Sequence, residues 1–308
     1  MPRLALWLRE VFVPLLGDVL SSCNSNSRTA PMPSVSGNAN SNTLIMEGQT
    51  ENIFEGVEAL IFCDESKFYI NNSDPEDAIY YFGITVKRDQ VKPIHEQFKA
   101  LLEKHRVQTS TFHSTTIFKE TRPRKPLMSE IADIIISNKL HCFCFKYDKS
   151  KLFEPTRNLK HHNNEIFDFE DMEFQALFYF LLYLNTYLRD SNSSLFHDKV
   201  IAYFDRNVYG KKEIEAFKAP HEEFVVKRMT FSEKSLISLL ALPDFFGYIF
   251  RKAKLSLNKS QSGNMELETS PLVLNSYSML LKITEAKLFH FLEVDTSILG
   301  QALKINFE

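Results

Sequence analysis

The sequence predicts an α/β fold, a mixed sheet flanked by helices. Three observations predict it. Short apolar segments rich in β-branched and aromatic residues (57–63, 78–86, 199–204) alternate with longer segments whose apolar residues recur at helical spacing. The first two strand-like segments are separated only by a turn, so they pair antiparallel. The later ones are joined through helices, which favours parallel pairing. Hydrophobic residues make up 44% and charged residues 24% of 308 residues, enough for one large domain with extensions or for two small ones.

Residues 1–45 are expected to be a poorly ordered N-terminal tail. The apolar stretch 1–20 is interrupted by Arg3, Arg9, Glu10, Pro14 and Asp18, so it offers neither a membrane span nor a well-formed secretory core. The stretch 21–45 is rich in Ser and Asn, a composition that cannot bury a core. The main domain is expected over residues 46–255, and residues 256–308 as a loop and a C-terminal extension packed on it.

Within the domain, 57–63 reads as a buried strand ending in Asp64-Glu65-Ser66. Asn71-Asn72-Ser73-Asp74-Pro75 is a turn signal, and 78–86 is the second strand. Val91, Ile94, Phe98, Leu101 and Leu102 mark a helix over 89–104. A second helix spans 127–137, with Ile131, Ile134 and Ile135 on one face, and a third strand spans 140–147. The strongest helix covers 166–188, with a stripe of Phe174, Leu177, Phe178, Leu181 and Leu182. Strands at 199–204 and 224–229 follow, then a mostly helical pattern over 235–254. An apolar segment, 272–292, closes the chain.

Composition restricts the function. A net charge of −3 excludes a polycationic nucleic-acid coat, so phosphate contacts would need local patches. Two are present, Lys119/Arg122/Arg124/Lys125 and Arg251/Lys252/Lys254, each with the plain alternative of a solvated face. Nine glycines, with no GxGxxG and no GxxxxGK, argue against a glycine-rich phosphate loop. Four cysteines do not make a disulfide framework in a chain this long, and the protein reads as cytoplasmic (intracellular). Cys142 and Cys144 would face one side of a strand, but His161 and His162, the nearest partners, are adjacent and converge poorly on a zinc ion.

Three aspartates occupy special positions in this plan. Asp64 ends the first strand, Asp205 ends the strand after the strongest helix, and Asp244 lies in the last helix. Neighbouring strand ends crossed by a helix would gather them, to within about 8 Å of one another if they bridge cations. Gathered carboxylates repel one another unless a cation holds them, and hard oxygen ligands suit Mg²⁺ or Mn²⁺. Each also has a structural alternative: a solvated strand end, a turn residue, or a carboxylate complementing a helix dipole. His113 is the candidate proton carrier or substrate contact, with a satisfied structural histidine as the plain alternative, and Lys234 reads as a solvated lysine that could alternatively hold a phosphate.

The run Ile61-Phe62-Cys63-Asp64-Glu65-Ser66 resembles the opening strand of the domain of unknown function 3800 family. Phe112-His113-Ser114 is similar to a mid-chain segment of that family, Val200 to Asp205 to its strand ending in Asp, and Val225 to Gly247 to its closing strand and Leu-rich helix. The resemblance covers residues 57 to 254. It implies a ribonuclease H-like fold and a metal-dependent nuclease, with Asp64, Asp205 and Asp244 as the acidic set and a fourth carboxylate from the first turns of the long helix, Glu170 or Glu173, of which Glu173 is the metal-ligand candidate; the plain alternative for either is favourable charge at a helix N-terminus. Three positions depart from the family pattern: Thr111, Ala241 and Pro243. Pro243 is the departure with a structural consequence, since a helix restarting there could turn Asp244 outward.

Two functions follow as expectations. One is a Mg²⁺- or Mn²⁺-dependent phosphodiester hydrolase acting on RNA or DNA, with paired ions about 4 Å apart. The other is a catalytically inactive module of the same fold that binds nucleic acid or a partner protein.

Overall fold

The computed structural model describes residues 56–68, 78–119, 121–148, 171–190, 199–206, 216–218, 225–261 and 270–293. The readings for the N-terminal tail, His161, His162 and Glu170 lie outside the described residues. Seven strands are described: β1 (Val57–Phe68), β2 (Ala78–Lys87), β3 (Cys142–Asp148), β4 (Lys199–Asp205), β5 (Ala216–Lys218), β6 (Val226–Ser232) and β7 (Phe289–Glu293). The helices are α1 (Val91–Lys104), the single turn α2 (Ser114–Ile117), α3 (Lys125–Ser137), α4 (Met172–Asp190), α5 (Ala241–Gln261) and α6 (Pro271–Glu285).

The strands form one mixed sheet in the order β5-β6-β4-β1-β2-β3-β7. β1, β2 and β3 make an antiparallel meander, and β4 adds to β1 in parallel. β6 adds in parallel to β4, and β5 pairs antiparallel with β6 at the edge. β2 reads as a nearly continuous apolar run because it is buried on both faces, every residue but Lys87 being inside. Alternation along each strand divides the core. Leu60, Phe62, Tyr80, Phe82, Ile201 and Tyr203 face a layer containing α1, α3, α5 and α6. Ala59, Ile61, Cys63, Tyr81, Phe145 and Phe204 face α4. One register step moves a side chain from one layer to the other.

Several boundaries differ from the sequence reading, for local reasons. β1 does not end at Asp64. It continues to Phe68 because β2 keeps it paired there, Asp64 opposite Phe82 and Phe68 opposite Ala78. The pairing of β1 with β4 runs only as far as Cys63 opposite Phe204, so Asp64 stands where β1 loses its parallel neighbour. α4 buries Phe174, Leu177, Phe180, Leu184 and Leu188, while Phe178 and Leu181 are half-buried. Its core face is thus turned from the predicted stripe, and the Leu182 side chain is outside those described. The helical pattern over 235–254 is interrupted at its start: Glu233 O accepts from Leu236 N and Ile237 N, and Ile237 is extended before a 3₁₀ turn leads into α5. All three thiols described, Cys63, Cys142 and Cys144, are buried, and none of them is in a disulfide.

The C-terminal segment enters the sheet itself. α6 packs Leu272, Met279 and Ile283 into the same core as α5, and β7 joins the edge of β3 in parallel. A small polar network fastens that edge. His141 Nδ1 lies 2.9 Å from His290 Nε2, and the Tyr187 hydroxyl lies 2.7 Å from His290 Nδ1. The His290 ring also stacks 5.1 Å from Phe143. Burial, and then the adjacent His141, push the His290 pKa down to about 4. The unfolded chain takes up this proton near pH 6.5, whereas the folded ring resists it until about pH 4. Stability that is intact above pH 6.5 is therefore lost as the pH falls through that window. His290→Phe, which keeps an aromatic ring against Phe143, is expected to flatten this acid limb. Urea midpoints measured from pH 7 to 4 on both proteins check it; parallel curves would remove His290 as the cause.

Candidate acidic site

The site sits at the carboxyl end of β4, where β1 runs on past its pairing with β4 and the sheet meets the start of α5. Asp64 belongs to the stretch of β1 beyond its pairing with β4, and Asp205 is the last residue of β4, opposite Ser232 of β6. Both carboxylates lie on the α5 side of the sheet, since they share parity with Phe62 and Tyr203. Asp244 comes from the first turn of α5. The structure brings these three residues together.

Pro243 does not turn Asp244 away. It is the third residue of α5, within the first turn, where backbone N–H groups have no intrahelical partner, so its missing N–H breaks no helical bond. The carbonyl four residues earlier, that of Leu239, precedes the helix, so no helix interior is kinked. The Asp244 carboxylate points inward and accepts from Ser114 N at 3.2 Å.

At the centre of the three carboxylates stands Lys234. Its ammonium is 3.0 Å from Asp244 Oδ2, 3.2 Å from Asp205 Oδ2 and 3.3 Å from Asp64 Oδ2. Its side chain is 6% exposed, against 6% for Asp205 and 16% for Asp64 and Asp244. This corrects the reading of Lys234 as a solvated residue. The turn after β6 explains the position. Ser232 pairs with Asp205, Arg206 N donates to Ser232 O at 2.7 Å, and Lys234 follows two residues later. A sequence signal existed: Lys234 lies between two members of the acidic set, one turn beyond a strand neighbouring Asp205. Burial tells, since an isolated buried ammonium is costly and three carboxylates repay that cost.

The electrostatics are those of surplus negative charge. Burial pushes the Asp64 carboxyl up to about 8; Lys234 and the Glu65 backbone N–H oppose the rise, while Asp244 and Asp205 reinforce it. Burial works against the Lys234 ammonium too, but Asp64, Asp244 and Asp205 outweigh it and hold its pKa above the usual lysine range. One ammonium does not neutralise three carboxylates.

The other predicted site residues fall as follows. His113 is exposed at the rim, its Nδ1 3.9 Å from Asp244 Oδ2, too far for a hydrogen bond. Glu173 is not brought to the cluster. Its helix covers the opposite face of the sheet, where the Tyr81 hydroxyl donates to the Glu173 carbonyl at 3.3 Å. Its charge acts on Tyr81 together with Glu65 and Asp171. The i+4 spacing in line with an apolar stripe does aim it toward the sheet, but from the wrong side. Of the basic clusters, Lys119, Arg122 and Lys125 are exposed on the stretch that continues from His113 and Ser114. Lys254 instead hydrogen-bonds the Tyr80 hydroxyl and lies 4.6 Å above the Tyr80 ring, and Lys252 lies 6.0 Å from the Tyr248 ring. At about 1.5 Å per helical residue, Lys254 is about 15 Å along α5 from Asp244, so that cluster does not border the site.

The donor set fits a hard divalent cation in chemistry and charge: three carboxylates, a net formal charge of −2 with Lys234 when all are ionised, and Mg²⁺ or Mn²⁺ as the natural complement. The Ser114 hydroxyl, in the residue whose N–H holds Asp244, is buried with no hydrogen-bond partner, a further oxygen at the site. Among the described residues no group of three or more His, Cys, Asp or Glu is arranged to hold a metal ion as it stands. The point that the three aspartates share is taken by the Lys234 ammonium. Among the described residues no helix is long and apolar enough to cross a membrane. No family model matches this chain, and neither a curated protein nor a solved structure matches it.

Proposed function

We propose that the protein is a ribonuclease H-like phosphodiester hydrolase, dependent on Mg²⁺ or Mn²⁺ and acting on RNA or DNA. The observation that carries the reading is the convergence of Asp64, Asp205 and Asp244 on one point from two adjacent parallel strands and a crossing helix. The fold supports the ribonuclease H-like assignment: a three-strand meander, β1 to β3, is extended in parallel from β1 by β4 and β6, with carboxylates where β1 and β4 meet the helical layer. The three aspartates would hold the cation; when bound, it supplies Lewis-acid polarisation of a phosphodiester and a hydroxide at neutral pH. The chain's own groups would do the rest. Ser114 N–H orients Asp244, exposed His113 would carry a proton at the rim, and exposed Lys119, Arg122 and Lys125 would offer phosphate contacts.

A second reading, a catalytically inactive module of the same fold that binds nucleic acid or a partner protein, is favoured by one observation, the ammonium at the shared point. Calorimetric titration of Mg²⁺ and Mn²⁺, with cleavage assays on single-stranded and duplex RNA and DNA, separates the two. The hydrolase reading expects cation binding and cleavage that Asp64→Asn lowers by at least about 100-fold, since losing a direct ligand costs no less than losing one of its supports. Nucleic-acid binding without cleavage in saturating Mn²⁺ would establish the module instead.

A further inference from the structure

Lys234 carries three ammonium protons and faces three carboxylate oxygens, one from each aspartate, at 3.0 to 3.3 Å. Its capacity is thus matched by partners supplied by three different segments. A cation bound by the same oxygens would sit about 2.0–2.1 Å from them if it were Mg²⁺. Two positive charges cannot share that point: the ammonium and the ion would be in contact and would repel each other. Geometry also provides an exit. Lys234 lies in a turn whose neighbours Glu233, Ser235 and Leu236 are exposed, and its four-carbon stem is flexible.

We propose that Lys234 is a built-in counter-cation. Its ammonium holds the acidic cluster together in the cation-free protein and must swing out of the shared point before a divalent cation enters. The inference rests on reading the cluster as a cation site and assigns the control of that site to one residue. Cation binding is then a competition, and its apparent affinity is set by how strongly Lys234 holds its place. The side chain is a positioning group in one state and is released to the surface in the other.

The test uses the full chain and Mn²⁺. In the first arm, brief acetic anhydride labelling is followed residue by residue with mass spectrometry, in chelator and in saturating Mn²⁺. Lys234 is expected to be protected at least about tenfold relative to exposed Lys92 in chelator, and to lose that protection in Mn²⁺. In the second arm, Lys234→Met is expected to be less stable than wild type in chelator, to recover in Mn²⁺, and to bind Mn²⁺ at least about tenfold more tightly. The Asp64→Asn/Lys234→Met double variant, which removes one charge of each sign, keeps the arm usable if the single variant does not fold. Mn²⁺ binding to wild type with Lys234 still protected would overturn the displacement and leave the cation site standing. Binding by the Lys234→Met proteins but not by wild type would support the counter-cation and count against a cation-dependent hydrolase. Absence of binding in all of them would overturn both readings.

Discussion

Gly247→Val is expected to cost about 2–3 kcal/mol, the upper part of the range for overpacking a filled core, and to lower the melting temperature by about 5–10 °C. At Gly247, α5 lies directly against Phe82 of β2. A Cβ there would meet Phe82 ring carbons at 2.7 and 2.9 Å. The ring cannot retreat, being 1% exposed and wedged by Phe246 at 5.7 Å and Phe250 at 5.5 Å between centroids. α5 would have to lift instead, and Asp244 is one helical turn before the contact. The variant is therefore expected to weaken cation binding as well as folding. Gly247→Ala meets the same ring but gains about 1 kcal/mol of helix propensity, so a smaller loss is expected. Thermal melts of both variants check the order; a Val variant that melts with wild type would show that Gly247 does not set the spacing of α5 from β2.

Asp64→Asn is expected to stabilise the cation-free protein, and increasingly so at higher pH. The folded pKa of Asp64 is about 8, well above the value near 3.9 of an unfolded aspartate. Its contribution is thus fully present below about pH 4 and is lost as the pH rises through 8, because the unfolded chain ionises first. One proton sets a ceiling of about 1.4 kcal/mol per pH unit on that slope. Asparagine has no charge to lose, so the variant's advantage is expected to grow by at least about 1 kcal/mol between pH 5 and 8. The loss of one Lys234 contact offsets part of it. Denaturant unfolding in chelator across that range measures the difference. A variant that becomes relatively less stable as the pH rises would mean that Lys234 gains more from the Asp64 charge than burial takes away.

Periodicity and turn chemistry act over a few residues, so the sequence by itself determined most of the elements. The runs of aromatic and β-branched residues specify β1 to β4, and the Ile and Phe spacings specify α1 and α3. The turn signal over residues 71–75 specifies an antiparallel start, and β1 and β2 do pair antiparallel. The sequence also singled out Asp64 and Asp205, each at the end of an apolar run with nothing local to bury it for, and Asp244 by its place in the last helix. Three features belonged to the tertiary structure. Which face of the sheet a helix covers depends on the path of the chain, not on the helix, so Glu173 could satisfy its spacing and still lie across the sheet from Asp64. Whether Pro243 harms α5 depends on where the helix begins, and that was decided by the turn at Glu233 and the extended Ile237. Lys234, read as solvated, was the largest error, because nothing within its own segment distinguishes a buried lysine from a solvated one. Its environment is made by residues 170 positions before it, 29 before it and 10 after it. Only a folded sheet puts three carboxylates around one ammonium, and only there does the cost of burying that charge become a reason for the residue to be inside.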